Sequence, residues 1–269
     1  MTEASSYLLA NQASELERLQ LQSRVWEPSG RSLLAQLKPL SSPATAVDIG
    51  CGAMGWLRAL SEWTGAGGYV VGTDVDDRML AAAQAFVTQE ALANVSVRKD
   101  DLFASGLPPA SFDLVHARCQ IAPLGRAREQ LTAYVALAKP GGLIVIEDPD
   151  MSSWKVTPDA PAVRQLIDLI RRGFLAAGGN FDAGRDLPAL MTSFDLVPHL
   201  RAEILALEHG HPYLRLPLQF AQSLRPRLCT LVPEEELDAL MARAREELDR
   251  PDTWGTTFTL IQAYARRER

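Results

Sequence analysis

The sequence predicts an α/β fold in which helices cover both faces of a doubly wound, mainly parallel sheet. Short apolar runs recur as strands through residues 46–148, separated by helical patterns of about 10–15 residues. This alternation is typical of parallel strands joined by right-handed crossovers. After residue 150 the pattern changes to long helical stretches with two further strands, which indicates an antiparallel end to one sheet of seven strands.

The first part of the chain, residues 1–43, predicts an amino-terminal helical cap. Apolar residues at helical spacing predict one helix over residues 12–26. Pro28 is expected to open a second helix, because proline at the first helical position loses no hydrogen bond. The leucines that follow Pro28 give this second helix an apolar face.

The central part of the chain, residues 44–150, predicts the core that binds the cofactor. The expected strands are 46–50, 68–75, 94–101, 112–118 and 141–148. Helices are expected between them, over 55–65, 76–91 and 125–138. In a doubly wound sheet, ligands bind beyond the carboxyl ends of the strands. The binding site is therefore expected along that edge.

The last part of the chain predicts a lid and the end of the sheet. Residues 151–199 are expected to form a helical lid or substrate segment, since the apolar residues of 158–175 recur at helical spacing. Residues 200–269 are expected to complete the sheet, with strands at 200–208 and 256–265 and helices between them.

Composition and charge narrow the classes of function. The 269 residues are 47% hydrophobic and carry a net charge of −6. An acidic chain without a basic stripe is not typical of a nucleic-acid binder, and no apolar run approaches the roughly 20 residues of a membrane helix. Three widely separated cysteines suit a reducing compartment. We expect a cytoplasmic enzyme that binds neither nucleic acid nor membrane and holds no metal.

The stretch VDIGCGAMG, residues 47–55, follows the first strand and has the most informative pattern. Gly50, Gly52 and Gly55 spell G-x-G-x-x-G, the dinucleotide fingerprint. Asp48 precedes them, and its carboxylate would repel a pyrophosphate while suiting a ligand with a cationic group. S-adenosylmethionine is such a ligand, because it carries an ammonium and a sulfonium but no phosphate.

Acidic residues also end the next two strands. Asp74 ends the second strand, where a carboxylate can accept hydrogen bonds from both ribose hydroxyls of a nucleoside. Asp101, in KDDLF, ends the third strand and is placed to accept from an adenine amino group, with Leu102 against the ring. Asp74 suits a dinucleotide equally well, whereas Asp48 and Asp101 favour S-adenosylmethionine.

Five segments of the chain resemble the class I S-adenosylmethionine-dependent methyltransferases. In order they are VDIGCGAMGWLRAL, VVGTDVDDRML, RKDDLF, SFDLVHAR and ALAKPGGLIVIEDPD. The resemblance covers residues 46–150 and implies a Rossmann-like fold with S-adenosyl-L-methionine as cofactor. It extends more weakly to both flanks, which resemble an actinobacterial-type group of small-molecule, natural-product methyltransferases. The family loop usually has glycine where Met54 stands, and here Gly55 follows instead.

The resemblance implies a contact set for the cofactor, taken position by position. Asp48 would serve the methionine ammonium, Asp74 the ribose, and Arg118 the methionine portion. The implied set is Asp48, Gly50, Cys51, Gly52, Asp74, Val75, Met79, Asp101, Leu102 and Arg118. Tyr7 either folds over the cofactor or belongs to a frayed terminus. The group often has a histidine where Pro123 stands, so the resemblance implies no catalytic base.

Candidates for proton transfer come from a separate motif. His209, His211 and Tyr213, in EHGHPY, follow a strand end and are candidate proton acceptors or substrate contacts. A metal role for the two histidines would need a third ligand that the neighbouring sequence lacks. Trp154, Phe174 and Phe181 are expected either to line an apolar pocket for the acceptor or to belong to the core. Structural roles are expected for His116, Asp148 and Asp150.

These patterns predict a methyltransferase acting on a small, largely apolar metabolite through oxygen, carbon or nitrogen. Amino-group methyltransferases acting on DNA bases or glutamine often carry [DN]-P-P-[YF] after the fourth strand, where this chain reads ARCQIA. The alternative is a methyltransferase-fold cyclase or binding protein that keeps the nucleoside without transferring methyl. The oligomeric state stays open, with a homodimer as one option.

Overall fold

The computed structural model describes residues 13–268. Its strands are β1 (Thr45–Ile49), β2 (Tyr69–Asp74), β3 (Val95–Lys99), β4 (Phe112–Arg118), β5 (Ala138–Asp150), β6 (Lys155–Thr157), β7 (His199–Glu203), β8 (Ala206–Leu207), β9 (Trp254–Thr256) and β10 (Thr259–Arg266). Its α-helices are α1 (Ala13–Leu34), α2 (Leu57–Thr64), α3 (Asp77–Gln89), α4 (Ile121–Leu124), α5 (Ala127–Leu137), α6 (Pro161–Ala176), α7 (Leu187–Thr192), α8 (Leu216–Ser223), α9 (Arg225–Leu228) and α10 (Glu234–Leu248).

The main sheet has seven strands in the order β3-β2-β1-β4-β5-β10-β7. Strands β1 to β5 pair in parallel, and β10 runs antiparallel to both β5 and β7. The predicted doubly wound, mainly parallel sheet is therefore confirmed. Because successive side chains of a strand point to opposite faces, α1, α2 and α3 cover one face and α5 and α7 cover the other.

The amino-terminal part differs from the prediction of two helices. α1 is continuous from Ala13 to Leu34, and Pro28 lies inside it. Trp26, Leu33 and Leu34 are all buried, so packing on both sides of Pro28 favours one unbroken helix. A proline within a helix removes one backbone hydrogen bond, and this burial offsets that cost.

Beyond the main sheet lies a second hydrophobic core. Helices α6, α8 and α10 pack together there, beside a three-stranded sheet in the order β6-β9-β8. The stretch predicted as one strand at 200–208 is divided, because β7 joins the main sheet whereas β8 pairs with β9.

The predicted lid, residues 151–199, is also divided between two layers. α6 belongs to the second core, where its apolar face packs against α10 and α8. In contrast, Leu187, Met191 and Leu196 pack with α5 against the main sheet. Only the first part of the segment is therefore placed to shape a cleft. No helix within residues 13–268 combines the length and the hydrophobicity that a membrane span requires.

Candidate active site

A cavity of about 1060 Å³ opens at the carboxyl ends of the parallel strands. Every predicted cofactor contact except Tyr7 lines it: Asp48, Gly50, Cys51, Gly52, Asp74, Val75, Met79, Asp101, Leu102 and Arg118. Tyr7 lies outside the described residues. The structure thus brings together residues from four strand ends and the loop after β1, and their individual roles stay predictions.

The glycine loop after β1 needs glycine at each of three positions. Gly50, Gly52 and Gly55 all have positive φ, at 62°, 56° and 46°, a region that other residues rarely adopt. A Cβ on Gly55 would collide with the Asp48 carboxylate, which explains why glycine stands here rather than at Met54. A Cβ on Gly52 would have only Leu19 Cδ1 nearby, at 3.8 Å. The loop backbone at Gly52 therefore faces open cavity.

Asp48 holds the end of this loop. It is 1% exposed, and its Oδ2 accepts a hydrogen bond from the Trp56 backbone N–H at 2.7 Å. Its Oδ1 lies 2.7 Å from His116 Nδ1. Asp48 therefore links the start of α2 to the middle of the sheet while remaining part of the cavity lining.

Asp74, at the end of β2, holds the other side of the loop. Its Oδ2 accepts from the Gly52 N–H at 3.0 Å, and its Oδ1 accepts from the Asp76 N–H at 2.9 Å. Burial raises the pKa of Asp74 above its usual value, against the effect of these backbone donors. The carboxylate thus joins the glycine loop to the turn before α3.

The end of β3 carries two neighbouring carboxylates with different surroundings. Asp100 accepts from the Ser105 hydroxyl and the Gly106 N–H, within its own loop. Asp101 is exposed at the cavity, and its Oδ1 accepts from the Phe103 N–H at 3.0 Å. Asp101 is therefore the better placed of the two to meet a ligand.

A buried row of polar side chains lies beneath the cavity and was not predicted. We call Asp48, His116, Glu147 and Gln262 the polar row, one residue from each of four adjacent strands. His116 Nε2 lies 3.2 Å from Glu147 Oε2, and Gln262 Nε2 donates to Glu147 Oε1 at 2.6 Å. The Trp56 ring stacks on His116 at 3.8 Å between centroids. His116 is buried as expected, but it bridges two carboxylates.

Arg118 ends β4, the strand that carries His116, and it lines the cavity. Its Nη2 donates to Ser23 Oγ at 3.1 Å, and its Nη1 is 3.9 Å from Glu147 Oε2. Nη1 is buried and makes no hydrogen bond within the described residues. Buried polar groups are almost always paired, and a guanidinium N–H bonds strongly to a carboxylate. The predicted role of Arg118 at the methionine portion of the cofactor stays a prediction.

Four phenyl rings from the second core line the rest of the cavity. The phenyl cluster consists of Phe174, Phe181, Phe220 and Phe258, with edge-to-face contacts of 4.7–6.0 Å. Phe174, near the end of α6, and Phe181 bring the predicted lid to the cavity. Across from it, the Arg18 guanidinium lies 4.5 Å from the Phe220 centroid and bonds Glu15 and Gln22.

The predicted proton-transfer candidates do not line the cavity: His209, His211 and Tyr213 all lie outside its lining. His209 is exposed in the turn after β8. His211 Nδ1 accepts from the Tyr213 N–H at 3.1 Å and caps a short 3-10 turn. The Tyr213 hydroxyl is buried, accepts from Trp26 Nε1 at 3.1 Å, and has its pKa raised by burial.

Asp148 and Asp150 hold local structure, as expected. Asp148 is buried and accepts from the Ile121 and Ala122 N–H groups at the start of α4, and burial raises its pKa to about 7. Asp150 pairs with Arg185 at 2.7 Å, which lowers the pKa of Asp150 to about 2. Across residues 13–268, the structure groups no three His, Cys, Asp or Glu side chains that could hold a metal ion.

Fold and cavity together define a class I S-adenosylmethionine-dependent methyltransferase domain. The chain belongs to the methyltransferase domain family, whose model matches residues 40–177, about half of the chain. The match contains the glycine loop and every predicted cofactor contact that the structure describes, and it ends just after α6.

A curated relative shares the same region. Nocamycin O-methyltransferase from Saccharothrix syringae is 31% identical over 156 residues, which is 56% of this chain and 55% of that protein. The chain thus spans about half the length of that relative. The shared part supports the family assignment.

Solved structures extend the likeness to nearly the whole chain. Haemonchus contortus phosphoethanolamine N-methyltransferase 2, solved with S-adenosylhomocysteine, has a TM-score of 0.59 at 16% identity. The matched part is 99% of this chain and 60% of the Haemonchus chain. The [4+2]-cyclase SpnF has a TM-score of 0.53 at 16% identity. The matched part is 89% of this chain and 81% of the SpnF chain. These likenesses concern the fold.

Proposed function

We propose that this protein is an S-adenosylmethionine-dependent methyltransferase that acts on a small, largely apolar metabolite. The observation that carries the proposal is a single cavity with two chemically different parts. Its polar part lies at the glycine loop, and its apolar part is lined by the phenyl cluster. A cationic nucleoside suits the first part and an apolar acceptor suits the second.

The polar part supplies a partner for each polar group of the cofactor. Asp74 would hold the ribose hydroxyls and Arg118 the methionine carboxylate, while Asp48 would serve the ammonium directly or through water. The remaining predicted contacts, Val75, Met79, Asp101 and Leu102, would surround the adenine end. When bound, the cofactor supplies an electrophilic methyl group on its sulfonium.

The phenyl cluster would position the acceptor and exclude water from the reacting atoms. Methyl transfer is an in-line displacement, and holding both reactants in the right geometry accounts for much of its acceleration. The described carboxylate beside the cluster, Glu15, is bonded to Arg18. We therefore infer that positioning dominates over proton abstraction. The O-methyltransferase named above favours an oxygen acceptor.

The first test is the identity of the cofactor. S-adenosylhomocysteine should bind this protein in a calorimetric titration, whereas NAD should not, because the Asp48 carboxylate lies beside the glycine loop where a pyrophosphate would bind. Binding of NAD without binding of S-adenosylhomocysteine would contradict the proposal. The acceptor can then be sought by incubating metabolite extracts with methyl-labelled cofactor and reading the products by mass spectrometry.

Phe181→Leu and Phe220→Leu test the acceptor part of the cavity. Leucine keeps an apolar side chain but loses the edge-to-face ring contacts, each worth about 0.5–1.5 kcal/mol. For an acceptor found in the screen, KM should rise roughly two- to tenfold while the Kd of S-adenosylhomocysteine stays unchanged. Phe194→Leu, on the opposite face of the main sheet, is the control. Equal KM values in all three variants would place the acceptor elsewhere.

A cyclase that keeps the nucleoside is the second candidate, favoured by the structural likeness to SpnF and by the pairing of Glu15, a carboxylate of the cavity lining, with Arg18. The same labelled incubation separates the two functions. A methyltransferase consumes the labelled methyl group, whereas a cyclase forms product with the cofactor pool unchanged.

A further inference from the structure

We propose that His116 is a positioning residue that works as an imidazolium. By bonding Asp48 and Glu147 at once, its ring would fix the two carboxylates on which the methionine end of the cofactor site is built. This inference deepens the proposed function and rests on it. His116 belongs to the cavity lining beside the glycine loop, and its side chain is buried.

Each of the two ring nitrogens of His116 faces a carboxylate oxygen. Nδ1 faces Asp48 Oδ1 at 2.7 Å, and Nε2 faces Glu147 Oε2 at 3.2 Å. A neutral imidazole has one N–H and one lone pair, so one of these carboxylates would face a lone pair. Only the imidazolium donates on both sides. The geometry of the two contacts therefore selects the charged ring.

The charges around the ring support the same state. The ring faces Asp48 from β1 and Glu147 from β5 and stacks on the Trp56 ring beside α2. Glu147 in turn faces Arg118 from β4 and the neutral Gln262 from β10. Cys51 lies near Asp48, and burial raises the pKa of its thiol well above the usual value. With His116 charged, two buried carboxylates face two buried cations, so no charge is left unbalanced.

Each carboxylate held by His116 also supports a cofactor contact. Asp48 fixes the Trp56 N–H and thereby the end of the glycine loop. Glu147 lies beside Arg118, which lines the cavity. A neutral ring would release one carboxylate, and the loop or the guanidinium would shift. Affinity for the cofactor should therefore depend on the proton of His116.

The direction of the pH effect follows from the surroundings of the ring. Burial opposes the charge, but Asp48 and Glu147 outweigh it and raise the pKa of His116 above its ordinary value of 6.5. A raised pKa in the folded state gives stability that is fully present below pH 6.5 and is lost as pH rises through the folded value. Wild-type stability, measured by urea unfolding, should fall over that interval by more than that of His116→Gln, in which Asp148, with its pKa raised to about 7, still contributes a smaller fall.

Nuclear magnetic resonance can read the protonation state directly. The chain has four histidines, so selective ¹³C and ¹⁵N labelling of histidine resolves each ring. One ring should stay an imidazolium to a higher pH than the other three, and its signal should be missing from His116→Gln. In Glu147→Gln the same ring should become neutral at a lower pH than in the wild type. A neutral His116 ring in the wild type at pH 7 would overturn the proposal.

Binding supplies the second readout. The Kd of S-adenosylhomocysteine for the wild type should rise as pH passes through the titration of His116. For His116→Gln it should be at least fivefold higher at pH 7 and flat over the same interval. His199→Gln, exposed on β7, should behave as the wild type does.

Equal affinity of His116→Gln and wild type at every pH would also overturn the proposal. If the wild type binds no S-adenosylhomocysteine, the proposed function fails, and the resonance experiment still decides the charge of the ring. Glu147→Gln keeps the shape of the side chain, so it serves as the test if His116→Gln does not fold.

Discussion

Gly52→Ala is expected to abolish measurable binding of S-adenosylhomocysteine while leaving the protein folded. A Cβ at Gly52 meets nothing closer than Leu19 Cδ1 at 3.8 Å, so the fold has room for the added methyl group. The methyl group would instead occupy the cavity beside Asp74, where the nucleoside is proposed to lie. Isothermal titration calorimetry should show at least a hundredfold rise in Kd.

The control for this substitution is Gly210→Ala. Gly210 also has positive φ, at 80°, and a Cβ there meets nothing within 4 Å. Both variants therefore carry a similar backbone cost of about 1–2 kcal/mol, but only Gly52 faces the cavity. Their thermal unfolding temperatures should agree while their affinities differ. If Gly52→Ala binds the nucleoside as Gly210→Ala does, the cofactor does not approach this loop.

The main sheet could be predicted from the sequence because β1, β2, β4 and β5 are mostly apolar and buried, with helices of clear periodicity between them. The small sheet could not, since β8 has two residues and β6 and β9 have three each. So short a strand shows no period. The predicted helix start at Pro28 was wrong, because the local preference of proline for that position is outweighed by the burial of Trp26 and Leu33 in one continuous helix.

The clustering of the predicted cofactor contacts around one cavity could be predicted because they follow strand ends within a recognisable loop pattern. The proton-transfer candidates could not, because EHGHPY shows nothing of the direction in which its side chains point. Backbone hydrogen bonding turns His211 toward its own turn, and burial places Tyr213 against Trp26.

The sequence contains a pattern from which the polar row could have been predicted. Asp48, His116 and Glu147 each lie near the carboxyl end of a buried strand. The structure pairs Asp48 with His116 across β1 and β4, and Arg118 with Glu147 across β4 and β5. Aligning parallel strands by their carboxyl ends would have placed these side chains on one face. What the sequence alone lacks is the strand order that makes them neighbours.

Asp74→Ala is expected to weaken the binding of S-adenosylhomocysteine at least tenfold without unfolding the protein. The substitution would remove the proposed acceptor of two ribose hydroxyls, and each buried donor left unpaired costs about 1–3 kcal/mol. It would also remove the hydrogen bonds that Asp74 accepts from the Gly52 and Asp76 N–H groups, at 3.0 and 2.9 Å. Calorimetric titration measures the loss of affinity, and circular dichroism checks the fold.

Two further variants separate these effects. Asp74→Asn keeps one side-chain oxygen, so it can still accept from the Gly52 N–H but serves the ribose less well, and its Kd should lie between those of Asp74→Ala and the wild type. Asp252→Ala removes an exposed carboxylate before β9 and should leave the Kd unchanged. An unaltered Kd in a folded Asp74→Ala would exclude Asp74 from the nucleoside site. Because Gly52 and Asp74 are bonded to each other, retained affinity in both variants would place the ligand outside this part of the cavity altogether.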